Sequence, residues 1–270
     1  MDKTFAFIGA GNMGGAIIKA VCRAVPPKNV AVFDGPCPEK VQALSAETGC
    51  RSASSTKDAL GGAHFVFLCV KPNVLADTIR ELAPLLTNEQ LIVSIAAGVE
   101  TAKLKAALAK EKKELPVVRL MPNTPVAVGK GMILMAATGD TREEELAILE
   151  QALSQAGLVA RADEKDFDAG TAVFSCSPAF VYMFIEALAD GGVMAGLPRD
   201  KAQTYAAQAV LGAATMVLES GLHPGQLKDE VCSPGGSTIV GVEALERNAF
   251  RGTVASAVCE AYEKTKSLGK

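Results

Sequence analysis

Histidine is nearly missing from this chain: His64 and His223 are the only two among 270 residues. Two are too few for a histidine-built metal site, and no Ser-His-Asp set or paired-carboxylate arrangement is evident. His64 opens an apolar run and reads as structural. The seven cysteines (Cys22, Cys37, Cys50, Cys69, Cys176, Cys232 and Cys259) form no C-x-x-C pair. That excludes the usual metal and redox spacings and fits reduced thiols in the cytoplasm. Cys232 reads as a filler residue. Positive charge is not in excess either, with a formal net charge of −3. The pair Lys112-Lys113 is flanked by Glu111 and Glu114, so no basic cluster points to nucleic acid. The apolar stretch after Lys3 is cut by Gly9, Gly11 and Asn12 and has no cleavage site, unlike a signal peptide. The most membrane-like run, Ala172 to Leu188, contains Ser175, Ser177, Pro178 and Glu186. It is expected to be a buried helix, not a membrane span.

What is present is a core-forming composition, 49% hydrophobic and 21% charged. Short apolar runs alternate with amphipathic ones over the first part of the chain. Strands are expected at Thr4–Ile8, Val30–Phe33, Phe65–Val70, Leu91–Ile95, Val117–Leu120, Met132–Ala136 and Leu158–Arg161. Helices are expected at Met13–Ala24, Pro38–Thr48, Lys57–Leu60, Val74–Leu86, Thr101–Ala109 and Arg142–Gln155. Apolar strands alternating with helices imply a parallel, doubly wound sheet covered on both faces, the Rossmann plan. After Ala162 the pattern becomes alanine-rich and helical: Phe167–Phe174, Ala179–Met194, Arg199–Glu219, Thr238–Asn248 and Phe250–Leu268. Two domains are expected, α/β over residues 1–162 and all-α over 163–270. Small residues such as Ala206, Ala207, Ala209 and Gly212 permit close helix approach. So small and apolar a helical domain is expected to complete its core with a second copy of itself.

The strand Thr4–Ile8 runs into Gly9-Ala10-Gly11-Asn12-Met13-Gly14 and then a helix, which is the G-x-G-x-x-G dinucleotide fingerprint in its required context. Gly9 makes the tight turn, Gly11 lets the backbone approach a pyrophosphate, and Gly14 lets helix pack on strand. Asp34 ends the second strand, about twenty residues on, where a carboxylate meets the adenosine ribose. Its charge repels a 2′-phosphate, and no Arg or Lys follows before Lys40, so NADH is favoured over NADPH. Cys69-Val70-Lys71-Pro72 and Ile95-Ala96-Ala97-Gly98 lie at the carboxyl ends of the next two strands, where ligands of open α/β sheets bind. Val70, Lys71, Pro72, Ala96, Ala97 and Gly98 are therefore cofactor-contact candidates. The segment Met121-Pro122-Asn123-Thr124-Pro125 could wall the nicotinamide side, with Asn123 as a substrate-contact candidate. With no acid/base machinery of its own in view, the chemistry is expected to be the cofactor's.

Near the end stands Cys232-Ser233-Pro234-Gly235-Gly236-Ser237-Thr238, followed by Ile239, Val242 and Leu245 at helical spacing. This is a helix start, with Ser237 or Thr238 expected as its cap. Free N–H groups, the positive helix end and two hydroxyls form a receptor for a small carboxylate or phosphate; an ordinary capped helix is the plainer alternative.

Three segments together carry a resemblance: Gly9 to Gly14, Val118-Arg119-Leu120-Met121-Pro122-Asn123-Thr124-Pro125, and Ser233 to Thr238 with Ala244-Leu245-Glu246. The chain resembles the pyrroline-5-carboxylate reductases along essentially its whole length. The resemblance implies reduction of 1-pyrroline-5-carboxylate to L-proline by hydride from nicotinamide C4. It implies that the substrate carboxylate sits on the N–H groups of Gly236, Ser237 and Thr238, beside Gly235, with the Thr238 hydroxyl on the ring nitrogen. It further implies intertwined helical domains in a homodimer, so that each site joins two subunits, and it makes Glu164 a substrate-region candidate. The family usually has Gly-Ser-Gly-Pro where this chain has Ser175-Cys176-Ser177-Pro178, so a related cyclic imine is one alternative. Others are a β-hydroxyacid dehydrogenase, although the expected N-K-x-x-N-type lysine segment is missing, and a non-catalytic dinucleotide sensor.

Overall fold

The structure is a computed structural model that describes residues 3–268. The outer ends of the two expected domains, Met1-Asp2 and Gly269-Lys270, lie outside the described residues. The chain divides into two compact units, one running to Ser175 and taking in the C-terminal residues from Lys264, the other covering Cys176–Glu263.

The first unit is built on eight strands: β1 Phe5–Ile8, β2 Val30–Phe33, β3 Arg51–Ser52, β4 Phe65–Leu68, β5 Leu91–Ser94, β6 Val117–Pro122, β7 Gly131–Ala137 and β8 Gly157–Arg161. Their order in the sheet is β3-β2-β1-β4-β5-β6-β7-β8. The helices are α1 Asn12–Ala24, α2 Pro38–Thr48, α3 Thr56–Leu60, α4 Leu75–Leu82, α5 Thr101–Lys110 and α6 Glu143–Leu153. Alternation along each strand sorts side chains to two faces. Phe5, Phe7, Phe65 and Phe67 join α1, Val41 and Leu44 of α2 and Leu149 of α6 on one face. Ala6, Ile8, Val66 and Leu68 meet Leu60 of α3, Ile79 of α4 and Leu104 of α5 on the other. The Phe7 and Phe67 rings stack at 4.3 Å between centroids, pinning β1 to β4 at the sheet centre.

Three details differ from the expected plan. β7 pairs antiparallel with β6, and β8 then pairs parallel with β7, so the sheet is mixed. The tight 3₁₀ turn Thr124–Val128 connects β6 to β7 as a hairpin, too short for the crossover that a parallel pair requires. The edge strand β3 adds two residues that the apolar pattern does not reveal.

The expected boundary at Ala162 also sits ahead of the division after Ser175. Residues 163–175 stay with the first unit because Phe167 is buried against Leu134 and Ala136. Here the expected single helix becomes α7 Phe167–Gly170 followed by a π-helical turn, Thr171–Ser175. A side chain at Gly170 would meet Leu134 at 2.7 Å, so glycine allows the close approach.

The second unit is helical: α8 Ser177–Met194, α9 Arg199–Ser220, α10 Pro224–Val231, α11 Ser237–Arg247 and the start of α12 Phe250–Leu268. α10 replaces what reads in the sequence as mere punctuation, Pro224 serving as its first residue. Ala189, Ala202 and Ala206 form its small core, with Ile185 and Val193 against it. The expectation of a buried helix over Ala172–Leu188 is not met within one chain: Ala189 is the sole buried residue of α8. Tyr182, Met183, Tyr205 and Met216 are exposed, and Met194 is 90% exposed. Glu164–Met194 is long and apolar enough to cross a membrane by length and composition alone.

Candidate active site

The switch point of the strand order lies between β1 and β4, with β2 on one side of β1 and β4 on the other. In-register pairing (Ile8 with Phe33 and with Leu68, Leu68 with Ser94) brings the strand ends level. The segments after β1, β2, β4 and β5 therefore open onto one crevice, where open α/β sheets bind their ligands.

Gly9 leaves β1 at φ +102°, and a Cβ there would lie 2.5 Å from the Cys69 carbonyl oxygen. Glycine is required on both counts. A Cβ on Gly14 would meet the Cys69 side chain at 2.9 Å and the Gly9 carbonyl oxygen at 3.1 Å, so α1 can lie tight against the strands. Above Gly11 nothing lies within 4 Å. Gly11 is also the N-cap of α1, with no side-chain cap and no acidic residue in the first turn. Open space over bare N–H groups at a helix start is what a pyrophosphate needs. Asn12 is exposed and Met13 half-buried on this first turn, while Ala10 is buried. The chain therefore fits a dinucleotide at Gly9–Gly14.

Asp34 is held in place by the loop it serves. Its Oδ2 accepts from the Ala10 N–H at 2.8 Å, and its Oδ1 accepts from the Cys37 N–H at 3.1 Å. The carboxylate thus ties the glycine loop to the turn after β2 and borders a cavity of about 380 Å³ with Phe33, Gly35, Gln42 and Ser54. Val70 is half-buried, Lys71 and Pro72 are exposed, Ala96 is buried, and Ala97 and Gly98 are exposed at the crevice. Cys69 is half-buried, and burial pushes its thiol pKa up, so it is a neutral wall residue.

Asn123 and Glu164 have partners the sequence does not disclose. Asn123 is buried; its Oδ1 accepts from the Met132 N–H and its Nδ2 donates to the Phe174 carbonyl, each at 2.8 Å. The Glu164 carboxylate accepts from the Thr101 N–H at 2.9 Å, the Thr101 hydroxyl at 2.6 Å and Arg119 at 3.0 Å. Burial alone would raise the Glu164 pKa, but the Thr101 hydrogen bonds and Arg119 outweigh it and hold the carboxyl below its ordinary value. Arg119, only 5% exposed, also stacks over the Phe167 ring at 4.4 Å. Sequence reading missed Arg119 and Thr101, though a cation within the apolar strand Val117-Val118-Arg119-Leu120 was a signal.

In the helical unit, α11 begins at Ser237, and its N-cap is Gly236 rather than a hydroxyl residue. Neither Ser237 nor Thr238 caps the helix, so the expected cap is corrected: the first N–H groups of α11 meet no side-chain acceptor from the N-cap. Gly235 turns at φ +68°, and a Cβ on Gly236 would crowd the Ser233 carbonyl oxygen at 3.1 Å. Ser237 and Thr238 are both exposed.

A doubly wound domain with a bare glycine loop, an acid after β2 and a helical second unit is that of a dinucleotide-dependent oxidoreductase. Residues 4–98 match the family described as NADP oxidoreductase coenzyme F420-dependent. Residues 164–268 match pyrroline-5-carboxylate reductase dimerisation. The chain is 43% identical over 266 residues to the pyrroline-5-carboxylate reductase of Pisum sativum, covering 98% of this chain and 96% of that one. It is 40% identical to that of Escherichia coli K12, covering the whole of both. Among solved structures, a pyrroline-5-carboxylate reductase from Coxiella burnetii matches over the whole of both chains at TM-score 0.92 and 28% identity. The Plasmodium falciparum pyrroline carboxylate reductase with NADP bound matches at TM-score 0.84 and 31% identity, covering 100% of this chain and 99% of that one. The chain belongs to the pyrroline-5-carboxylate reductase family.

Proposed function

We propose that this protein reduces 1-pyrroline-5-carboxylate to L-proline with a reduced nicotinamide dinucleotide. Family membership supports the reaction, and the observation that carries the site is the start of α11, whose two hydroxyl residues cap nothing. The N–H groups of Ser237 and Thr238 receive the substrate carboxylate, while the Gly236 N–H expected to join them is instead spent on the Ser233 carbonyl at 3.0 Å, closing the turn that Gly235 makes. The Thr238 hydroxyl holds the ring nitrogen and orients the imine. A bound reduced nicotinamide would supply the hydride to the imine carbon, and the protonated ring nitrogen held by Thr238 would become the amine of L-proline.

Gly9, Gly11 and Gly14 seat the dinucleotide, while Val70–Pro72 and Ala96–Gly98 line its nicotinamide half. NADH is preferred over NADPH, because Asp34 is fixed as an acceptor by two backbone N–H groups and faces the ribose cavity. Two copies form the working unit. The exposed apolar faces of α8 and α9 are covered by the partner rather than by lipid, and each site pairs one chain's glycine loop with the other's Gly235–Thr238. Seven free thiols fit a cytoplasmic protein.

The test is to follow reduced-nicotinamide absorbance with 1-pyrroline-5-carboxylate, a six-membered cyclic imino acid and a β-hydroxyacid as substrates, under both dinucleotides. Fast turnover of the five-membered imine with NADH is expected. Turnover of the β-hydroxyacid alone, or dinucleotide binding without turnover of any substrate, would remove the proposal, and a clear NADPH preference would remove the role given to Asp34.

A further inference from the structure

We infer that Glu164 is a positioning residue for the dinucleotide: it fixes the loop Ile95–Glu100 from the far side by capping α5. The inference rests on the proposed reductase function and adds a residue to its machinery. The loop leaves β5 at the crevice and enters α5 at Thr101. Its first end is held by the ladder and by Ala96 N–H donating to Ser94 Oγ at 3.2 Å. Its second end has no cap of its own, because the side chain of the N-cap Glu100 makes no capping hydrogen bond and the first turn of α5 has no acidic residue. Glu164 supplies what is missing from 63 residues away, accepting both the N–H and the hydroxyl of Thr101. A carboxylate at that position also complements the positive end of the helix.

The same carboxylate is tied down in turn. Arg119 donates to it at 3.0 Å from β6, where it stands in register with Ser94, the residue that ends β5. Arg119 is itself pressed over Phe167, which is fully buried. Both ends of the loop therefore lead back to one Ser94–Arg119–Glu164–Thr101 frame. The π-helical turn beyond Phe167 is pinned separately by Asn123 on the Phe174 carbonyl. With its carboxylate filled by three donors, Glu164 acts on the reaction through the loop bearing Ala96, Ala97 and Gly98.

The test compares Glu164→Ala, Glu164→Gln and Thr101→Val with wild type in NADH binding by fluorescence and in steady-state kinetics. Glu164→Ala is expected to raise the dinucleotide Kd and KM roughly tenfold or more, while the KM for 1-pyrroline-5-carboxylate stays within about twofold. Thr101→Val, which loses only the hydroxyl contact, moves the same way by less. Glu164→Gln keeps an acceptor for Thr101 and recovers part of the loss. A raised imine KM with unchanged dinucleotide affinity would make Glu164 a substrate contact and overturn the inference. So would lower thermal stability with both constants unchanged. Should Glu164→Ala fail to fold, the other two variants decide on the same readouts. Failure of the proposed reaction would show separately, as wild type binding NADH without turning over the imine.

Discussion

Thr238 and Gly9 sit at opposite ends of the sequence and are required for different physical reasons. In the proposed reaction Thr238 supplies a hydroxyl that the helix does not use as a cap. Replacing it with alanine should lower kcat roughly a hundredfold or more while NADH affinity stays within about twofold. An unchanged kcat in stopped assays would end the role assigned to it. Gly9 is needed for the absence of a side chain. Gly9→Ala forces a Cβ to 2.5 Å from the Cys69 carbonyl oxygen at a φ of +102°. It should cost about 1–3 kcal/mol in urea denaturation and abolish tight NADH binding; wild-type stability with wild-type affinity would contradict the close-approach argument. Both residues stand out as candidates in the sequence because their signals are local: a glycine spacing, and hydroxyls beside two glycines. Arg119 and its pairing with Glu164 do not, since that partnership spans 45 residues and exists only once β6 and the segment after β8 come together.

Elements were legible where burial is continuous and lost where it is not. β1, β2, β4 and β5 are wholly or nearly wholly buried and read as unbroken apolar runs. β3 is two exposed residues on the sheet edge, so no apolar pattern marks it. The reversal of β7 escaped because an apolar run gives no direction; the three-residue spacing of turn formers at Asn123–Pro125 was the available clue. The site's N-cap was misassigned because hydroxyl residues usually cap, and only the backbone shows that Gly236 takes the position. The central strands also set the stability of the first unit. Phe67 is fully buried and stacks on Phe7. Phe67→Ala should cost about 3–5 kcal/mol by chemical denaturation, and a loss under about 1 kcal/mol would mean that this stack does not hold β1 to β4.

At the scale of the whole molecule, the expected helix burial over Ala172–Leu188 is not met within one chain, which leaves apolar surface for the proposed second copy to cover. α9 buries only Ala202 and Ala206 over 22 residues, and α8 only Ala189. Sedimentation at micromolar concentration should show a dimer or an assembly of dimers, and a monomer there would refute the second copy as the cover. Acid should weaken the fold in two stages. Burial, and then the charge of Lys3, lower the His64 pKa, so the unfolded chain binds the proton more readily. Stability from His64 is therefore present above about pH 6.5 and lost as pH falls below it. Glu164, held below its ordinary pKa, adds a second loss below about pH 4.3, as its carboxylate is protonated. Thermal melting from neutral pH downward checks the sign, and a melting temperature that rises between about pH 7 and 5.5 would contradict it.

In the proposed reaction a hydride moves from a nicotinamide to a five-membered cyclic imine held by its carboxylate at the start of α11. The most direct measurement uses NADH deuterated at nicotinamide C4 with 1-pyrroline-5-carboxylate, followed by analysis of the product. L-proline carrying deuterium at ring C5 is expected, one molecule for each NADH oxidised, with no labelled product from Thr238→Ala at a comparable rate. Oxidation of NADH with no labelled proline, or none in the presence of the imine, would contradict it.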